Sequence, residues 1–175
     1  MRGSRVLVGS LLGAFVLVCG APRNMRAQAK KPMDSRAEIE TLETSYNNAF
    51  NTRDITGIMS CYARGRALFV FDVVPPRQYA SWDAYKRDWE TLLSQYPGPV
   101  SNQISEQSIT VLGTVAYGHN IQSTTLTNKD GSKLHVVVRV TDVYRKFGTK
   151  WLIVQEHVSV PVNLATGQAD LLSQP

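Results

Sequence analysis

The sequence has little cysteine and none of the motifs that commonly hold nucleotides or metals. Only two cysteines occur in 175 residues, Cys19 and Cys61. It contains no G-x-G-x-x-G, Walker, H-E-x-x-H or C-x-x-C motif, and its three histidines lack the spacing of metal ligands: His119, His135 and His157. We therefore expect no cofactor and no metal centre.

The body of the chain also lacks a surplus of charge of one sign. The net charge is +5, from 19 basic and 14 acidic residues. Four of the arginines lie within residues 1–29, where there is no acidic residue, so the rest of the chain has 15 basic residues against 14 acidic ones. A nearly neutral body does not favour electrostatic capture of a phosphate backbone. We expect no nucleic-acid partner.

The N-terminal segment has the pattern of an export signal. Two arginines precede an apolar run over residues 6–18, and Ala27-Gln28-Ala29 has the small-x-small pattern that signal peptidase accepts. We expect residues 1–29 to be a signal peptide cleaved near Ala29, giving a periplasmic or secreted protein with no stable membrane span, since the run is short for a bilayer. The alternatives are a retained N-terminal anchor and a lipoprotein attached at Cys19.

Hydrophobic periodicity predicts helices first and strands afterwards. Apolar residues at helical spacing predict helices over about residues 36–50, 54–62 and 82–96, and residues 67–74 form a β-rich apolar run. Four long strands follow, over residues 103–112, 115–127, 133–147 and 151–160. Their short links permit only antiparallel hairpins. The order predicts an α+β domain over residues 34–163, with helices on one face of a curved sheet, and a loose polar tail over residues 164–175.

Two carboxylates lie where apolar side chains are expected. Asp142 shares its strand face with Val136, Val138 and Val140, and Asp72 interrupts the apolar run that ends at Pro75-Pro76. A buried carboxylate must be paired, hydrogen bonded or protonated, and burial should raise the pKa of Asp142. The alternatives are a structural salt bridge for Asp142 and, for Asp72, hydrogen bonds to backbone amides at the end of the strand.

Several aromatic residues and one histidine are further candidates for a site that includes these two carboxylates. Tyr46 and Tyr62 lie within helical apolar stripes, where a core tyrosine with a satisfied hydroxyl is the alternative to a site residue. The other candidates lie on the stripe of the third helix, on the face of Asp142 and in the last strand: Trp82, Tyr85, Trp89, Tyr144 and His157. Alternation in the last strand does not define which face His157 occupies.

The order α-α-β-α-β-β-β-β, with Tyr46, Asp54, Tyr62 and Asp72 and the segment Val140-Thr141-Asp142-Val143-Tyr144-Arg145, resembles the nuclear transport factor 2-like superfamily and, within it, the SnoaL-like group. Residues 151–161 are typical of its exported members. The resemblance covers residues 36–163. It implies a cone-shaped antiparallel sheet with three helices packed on its concave face.

A further resemblance, to bacterial ketosteroid isomerases, implies roles for single residues. Asp72 would be the base, Tyr46 an oxyanion donor supported by Tyr62, and Asp142 a protonated donor, as in the buried neutral carboxylic acid of that enzyme. The turn before Asp72 is longer than in those enzymes. Residues 156–159 resemble instead the kinase association domain, so a steroid substrate is not implied.

The residues leave three functions open. The first is an exported domain that binds a small molecule in a semi-apolar pocket, with Trp82, Tyr85, Trp89, Tyr144 and His157 as ligand-binding residues. The second is a cofactor-independent isomerase, cyclase or dehydratase that uses Asp72 as base with the hydroxyl of Tyr46 and a protonated Asp142 as donors. The third is an association module that forms a homodimer through the outer face of the sheet.

Overall fold

The computed structural model describes residues 34–173, so the expected signal peptide over residues 1–29 lies outside the described residues. Three helices precede the long strands, and a 3-10 turn at Gly65–Ala67 follows the second helix. The helices are α1 (Ser35–Asn51), α2 (Ile55–Ser60) and α3 (Trp82–Gln95). Among the described residues, no helix has the length and apolar character needed to cross a membrane.

Five strands form the main sheet, in the spatial order β1-β5-β4-β3-β2. They are β1 (Phe69–Phe71), β2 (Val100–Leu112), β3 (Val115–Thr127), β4 (Lys133–Phe147) and β5 (Lys150–Ser159). Strands β2 to β5 pair antiparallel as predicted, whereas β1 pairs parallel to β5 at the edge. The α+β class and the helix-covered curved sheet are therefore confirmed.

Strand β1 is shorter than the apolar run that predicted it. The run covers residues 67–74, but regular pairing with β5 ends at Phe71. At the next residues the backbone N–H of Val73 donates to Oδ1 of Asp72 (2.6 Å) instead of to a strand. Two prolines follow, and neither has an N–H to donate. The apolar run predicted too long a strand, because apolar composition does not show which backbone N–H groups are unavailable for strand pairing.

Two irregularities bend the sheet around the helices. The register between β2 and β3 shifts between Ser105 and Ser108, and that between β4 and β5 shifts between Val143 and Tyr144. A bulge adds a residue to one strand and increases the local twist. The concave face that results packs against α1 and α3, whose buried side chains form one core with the inner face of the sheet.

Residues 164–173, part of the segment expected to be a loose tail, have regular backbone contacts. Two-residue strands β6 (Val162–Asn163) and β7 (Gln168–Ala169) pair antiparallel. Further on, the N–H of Val137 in β4 donates to the carbonyl oxygen of Leu171 (2.7 Å). Polar side chains predict exposure, which most of this segment has, but they do not report backbone pairing.

Arg53 fixes the end of α3 to the end of α1. It has a φ of 60°, in the left-handed region, directly after α1. Its guanidinium donates to the carbonyl oxygens of Leu93 (2.6 Å), Tyr96 (2.7 Å) and Gly98 (2.9 Å). The last carbonyls of a helix have no partner within the helix, so one side chain here satisfies acceptors that would otherwise stay open.

Arg53→Ala should lower the free energy of unfolding by about 3 kcal/mol, since hydrogen bonds from a charged donor contribute about 1.5–3 kcal/mol each and do not add fully. Arg53→Lys should recover only part of the loss, because one ammonium cannot reproduce the planar fork of donors. Urea denaturation measures both, with the exposed Arg66→Ala as control. An Arg53→Ala protein as stable as the control would contradict this role of Arg53.

Candidate functional site

A cavity of about 110 Å³ lies between the sheet and the helices α1 and α3. One wall is apolar and comes from β4 and β5, with Val136, Val138, Val140 and Val158. The opposite wall is aromatic, with Tyr46, Phe50, Tyr85 and Trp89. The rest of the lining is a mixture of polar residues (Asp72, Asp88, Gln122, Thr124 and Glu156) and apolar ones (Val73, Val74, Leu92 and Leu126). The volume is several times the ~10–15 Å³ that one water molecule needs. A semi-apolar lining with a few polar groups is typical of a small-molecule site.

Glu156 is the carboxylate at the base of this cavity. It is 3% exposed, and both of its oxygens accept hydrogen bonds from tyrosines. Tyr62 donates to Oε2 (2.8 Å) and Tyr85 donates to Oε1 (2.7 Å). Two O–H donors favour the ionised form, but burial outweighs them and raises the pKa of Glu156 to about 7. Glu156 is therefore a carboxyl that changes protonation near neutral pH.

Two further buried carboxyls continue inward from Glu156. Asp142 lies opposite Glu156 in the β4–β5 pairing and is 1% exposed. The Tyr144 hydroxyl donates to Oε1 of Glu43 on α1 (2.8 Å) and lies 3.4 Å from Oδ2 of Asp142. Since that hydroxyl carries one proton, a second hydrogen bond at this oxygen requires a proton on Asp142. The geometry favours a neutral Asp142.

The pKa values of these inner carboxyls are raised for a common reason. Burial is the main cause, and the negative charges of Glu156 and Glu43 add to it at Asp142, whose pKa lies well above its usual range. Burial likewise raises the pKa of Glu43 to about 7, although its bond from Tyr144 opposes the shift. The rise in pKa expected for Asp142 from burial is found, and the neighbouring charges that add to it belong to two glutamates.

Asp72 and Asp88 form the acidic part of the cavity lining near α3. Asp88 accepts a hydrogen bond from the Tyr79 hydroxyl (2.6 Å), and Asp72 accepts the N–H of Val73. Burial, followed by the charge of Asp88, raises the pKa of Asp72. Burial also raises the pKa of Asp88. Asp72 is thus a stronger base than an exposed aspartate and lies beside the cavity.

Tyr46 contributes an uncommitted hydroxyl to the same cavity. Its side chain is 5% exposed, and its hydroxyl makes no hydrogen bond to any residue within 34–173. Its ring packs edge-on against Tyr62 and Trp89, at centroid distances of 6.2 Å in both cases. Burial and the surrounding carboxylates raise the pKa of Tyr46 well above its usual range, so the hydroxyl keeps its proton. It is a fixed donor available to a ligand.

The structure brings four of the nine candidate residues to the cavity and places three directly behind it. Tyr46, Asp72, Tyr85 and Trp89 line it. Tyr62, Asp142 and Tyr144 are buried outside that lining. Tyr62 donates to Glu156 and Asp142 lies opposite Glu156, whereas Tyr144 donates to Glu43, which does not line the cavity. Asp142 therefore cannot donate directly to a ligand, and Tyr62 supports Glu156 by a hydrogen bond rather than supporting Tyr46.

Trp82 and His157 do not line the cavity, contrary to expectation. Trp82 is buried, but its Nε1 donates to the carbonyl oxygen of Met59 (2.8 Å) and the guanidinium of Arg64 lies over its ring. The hydrogen bond from Trp82 to Met59 holds the start of α3 against α2. His157 is exposed, and its ring packs against Phe71 on the face of the sheet opposite the cavity.

Sequence reasoning missed Glu156 because of a bulge in β5. Tyr144 pairs with Ile153 and Val143 pairs with Gln155, so Val154 is the extra residue. Uninterrupted alternation from Trp151 and Ile153 would turn His157 inward, whereas the bulge turns Glu156 and Val158 inward instead. Glu43 was also missed, although its spacing between Ile39 and Tyr46 on the buried face of α1 was a readable signal.

No group of three or more His, Cys, Asp or Glu side chains within residues 34–173 is arranged to hold a metal ion. The inner carboxyls instead use tyrosine hydroxyls as partners. The site can therefore offer hydrogen-bond donors, a base and protonated carboxyls to a ligand.

Comparison with protein families and solved structures gives consistent matches to one fold. A family model described as a SnoaL-like domain matches residues 39–163. Among curated proteins, no sequence matches this chain. An NTF2-like protein of unknown function from Pseudomonas putida is 27% identical, with a TM-score of 0.72 over 82% of this chain and 99% of that one.

Two other solved structures carry functional names. A protein from Xanthomonas campestris, provisionally named a calcium/calmodulin dependent protein kinase II association domain, is 26% identical, with a TM-score of 0.62 over 75% of this chain and 91% of that one. A protein from Novosphingobium aromaticivorans, provisionally named a scytalone dehydratase, is 14% identical, with a TM-score of 0.64 over 80% and 94%. The second likeness shows the fold alone.

Proposed function

This chain belongs to the SnoaL-like domain family, and from the cavity between its sheet and its helices we propose that it binds a small, semi-apolar molecule there. The observation that carries the proposal is the lining: valines on one side, aromatic rings on the other, and polar groups held at fixed positions. Burying the ligand's apolar part against valines supplies affinity, and the polar groups select its orientation.

The charges of the residues that line the cavity restrict the class of ligand that can bind there. Its charged residues within the described chain are Asp72, Asp88 and Glu156, and no lysine, arginine or histidine lines the cavity. An anionic ligand would meet like charges without a cation to compensate them, which is unfavourable in a partly desolvated site. A neutral molecule with an oxygen that accepts from Tyr46 fits the lining.

Filling the cavity should abolish binding without unfolding the protein. Val138→Phe adds a ring on the cavity wall, so saturation-transfer NMR with cyclohexanone should show loss of binding, and native mass spectrometry should show loss of any retained small molecule. Overpacking a filled core costs about 1–3 kcal/mol, but here the ring has space to occupy. Thr44→Phe, exposed on α1 and outside the cavity lining, is the matched control. Equal binding by both variants would place the ligand elsewhere.

A second candidate function, proton transfer next to a carbonyl, is favoured by the juxtaposition of Asp72 and Tyr46 in one cavity. Asp72 would remove the proton, and the Tyr46 hydroxyl would stabilise the enolate oxygen that forms. The proton leaves a carbon atom adjacent to the carbonyl and returns from Asp72: return to the same carbon is proton exchange, and return to another carbon of a conjugated enolate is isomerisation. The carboxyls that line the cavity beside Asp72 are Asp88 and Glu156, and Asp142 is not among them.

Export and dimerisation are also part of the proposal. Support for export is the arginine-flanked apolar run followed by Ala27-Gln28-Ala29, with cleavage near Ala29. The homodimer would use the outer face of the sheet, where Thr141 is exposed and Val137 and Val143 are half-buried. N-terminal sequencing of the mature protein and its mass by light scattering test these two points independently of the cavity.

A further inference from the structure

The cavity contains a further side-chain donor with no hydrogen-bond partner among residues 34–173, the amide of Gln122, in addition to the Tyr46 hydroxyl and the buried indole N–H of Trp89. Gln122 is 5% exposed and lines the cavity from β3. Its Oε1 accepts a hydrogen bond from Nδ2 of Asn102 (3.1 Å). Its Nε2 makes no hydrogen bond to any residue in the described part of the chain. Within residues 34–173 this Nε2 is not among the side-chain atoms that are both fully buried and unpartnered, so it is accessible and can meet an acceptor placed in the cavity.

A relay of asparagine side chains determines which end of the Gln122 amide faces the cavity. The relay starts at the backbone of Asn102, whose N–H donates to Oδ1 of Asn51 (2.6 Å) and whose carbonyl oxygen accepts from Nδ2 of Asn51 (3.0 Å). These two backbone bonds leave Asn51 only one orientation. Its Nδ2 also lies 3.4 Å from Oδ1 of Asn47, which makes that Asn47 atom an acceptor.

The orientation is then passed on to Asn102 and Gln122. Nδ2 of Asn102 donates both to Oδ1 of Asn47 (3.0 Å) and to Gln122, and Oδ1 of Asn102 accepts from the Thr124 hydroxyl (2.5 Å). Each amide in the relay has therefore only one arrangement that satisfies its neighbours. Oε1 of Gln122 must face Asn102, so Nε2 must face the cavity. The Thr124 proton is directed at Asn102 and is not available to a ligand.

The pairing of the strands places Gln122 apart from the carboxyls. Glu156 lies opposite Asp142, Val158 lies opposite Val140, and Gln122 lies opposite Val138. From Asp142 to Val138 is four residues, or about 13 Å along a strand at ~3.3 Å per residue. Between these two rows are Val140 and Val158, which line the cavity, and Asn120, which lies opposite Val140 on β3 and does not line it. The cavity is thus polar at the carboxyl end, apolar in its middle and polar again at Gln122.

We propose that the ligand of this cavity carries a second oxygen, a carbonyl or an equivalent acceptor, that binds Nε2 of Gln122 and is separated by an apolar part from the group held by Tyr46. This inference rests on the proposed binding function and names the class of ligand. Gln122 is the specificity-determining residue, and Asn47, Asn51 and Asn102 are positioning residues that fix its amide. A neutral compound with two acceptor oxygens on one apolar ring is the matching chemistry.

A pair of matched probes tests the proposal. Cyclohexane-1,4-dione and 4-methylenecyclohexanone have the same ring and one ketone in common, and they differ in whether the second group is an acceptor. The wild-type protein should bind the dione about tenfold more tightly, the ratio expected for one hydrogen bond to a buried donor. Only the dione should shift the side-chain amide signals of Gln122 in a ¹⁵N-correlated NMR spectrum.

Two variants of Gln122 should remove this difference. Gln122→Met retains the length of the side chain but has no hydrogen-bond donor and loses the contact with Asn102. Gln122→Glu retains an acceptor for Asn102, so it should fold even if the loss of that contact prevents Gln122→Met from folding. Gln122→Met should bind the two probes equally, and Gln122→Glu should do so at a pH at which the new carboxyl is ionised and has no proton to donate. Tyr46→Phe should weaken the binding of both probes and leave their ratio unchanged, and Gln95→Met, exposed at the end of α3 and outside the cavity lining, should change nothing.

The outcomes separate this inference from the binding function itself. Equal binding of both probes to the wild-type protein, or a ratio that survives in the Gln122 variants, would overturn the role of Gln122 and leave small-molecule binding intact. A ratio lost only in Tyr46→Phe would place the acceptor at Tyr46 and overturn it as well. If neither probe binds, the proposed ligand class is overturned. Comparison of the wild-type protein with Val138→Phe tests separately whether any small molecule occupies the cavity.

Discussion

Asp72→Asn should exchange the α-protons of cyclohexanone with D₂O about 10²- to 10⁴-fold more slowly than the wild-type protein, because that is the usual contribution of a positioned general base. The substitution removes the carboxylate base, and the asparagine amide has nearly the same shape, so the cavity keeps its form. Proton NMR follows the loss of the α-proton signals directly. The wild-type rate should rise with pH through the pKa of Asp72, which burial and Asp88 raise above the usual range.

Tyr46→Phe should slow the same exchange by about 10²- to 10³-fold, the cost of losing one donor to a developing oxyanion. Asp83→Asn, exposed in the first turn of α3, is the control for removing a carboxylate without touching the cavity. If wild-type and Asp72→Asn proteins exchange the ketone at one rate, proton transfer by Asp72 is excluded. In that case binding without catalysis is the function that remains.

The free energy of unfolding should fall by about 3–5 kcal/mol between pH 5 and pH 8. Burial raises the pKa values of Glu43 and Glu156 from 4.5 to about 7 and raises that of Asp142 as well. Between the unfolded and the folded pKa values, the folded protein therefore holds more protons than the unfolded chain. Stability is complete below pH 4.5 for these groups and is lost as the pH rises through 7, at up to about 1.4 kcal/mol per pH unit for each group.

Glu156→Gln should flatten this pH dependence, because an amide of the same shape has no proton to lose. The variant should match the wild-type protein near pH 5 within about 1–2 kcal/mol and exceed it at pH 8. Urea denaturation at several pH values measures the slope, and Glu90→Gln, exposed on α3, is the matched control. Stability that rises from pH 5 to pH 8 would show that the inner carboxyls are ionised and paired in the folded state.

The pH dependence of stability concerns a group of buried carboxyls that extends from the cavity into the core. Glu156 faces the cavity and is linked through its strand neighbour Asp142 to Tyr144 and Glu43. Because these buried carboxyls bind protons near neutral pH, their ionisation at alkaline pH lowers the free energy of unfolding. Such a group of carboxyls is also what a site needs if it is to offer a neutral carboxyl beside a basic one.

Sequence alone determined the elements and the class of the fold. Three helical stripes and four long alternating runs with tight links leave few arrangements other than helices covering an antiparallel sheet, because each amphipathic face must be buried against another. Alternation within β4 also determined that Asp142 faces inward, and burial then raises its pKa in the expected direction. Periodicity is sufficient for these conclusions because both depend on local pattern.

The tertiary structure decided which side chains meet at the cavity. The bulge at Val154 exchanged His157 for Glu156, and the packing of α3 on α2 directed Trp82 toward Met59 rather than into the cavity. The orientation of the Gln122 amide depends on Asn51, which is 71 residues earlier in the chain, and on Asn102 between them. A one-residue insertion reverses a strand face, and a hydrogen-bond relay joins distant segments. Neither leaves a periodic signal in the sequence, so both appear only when the chain is folded.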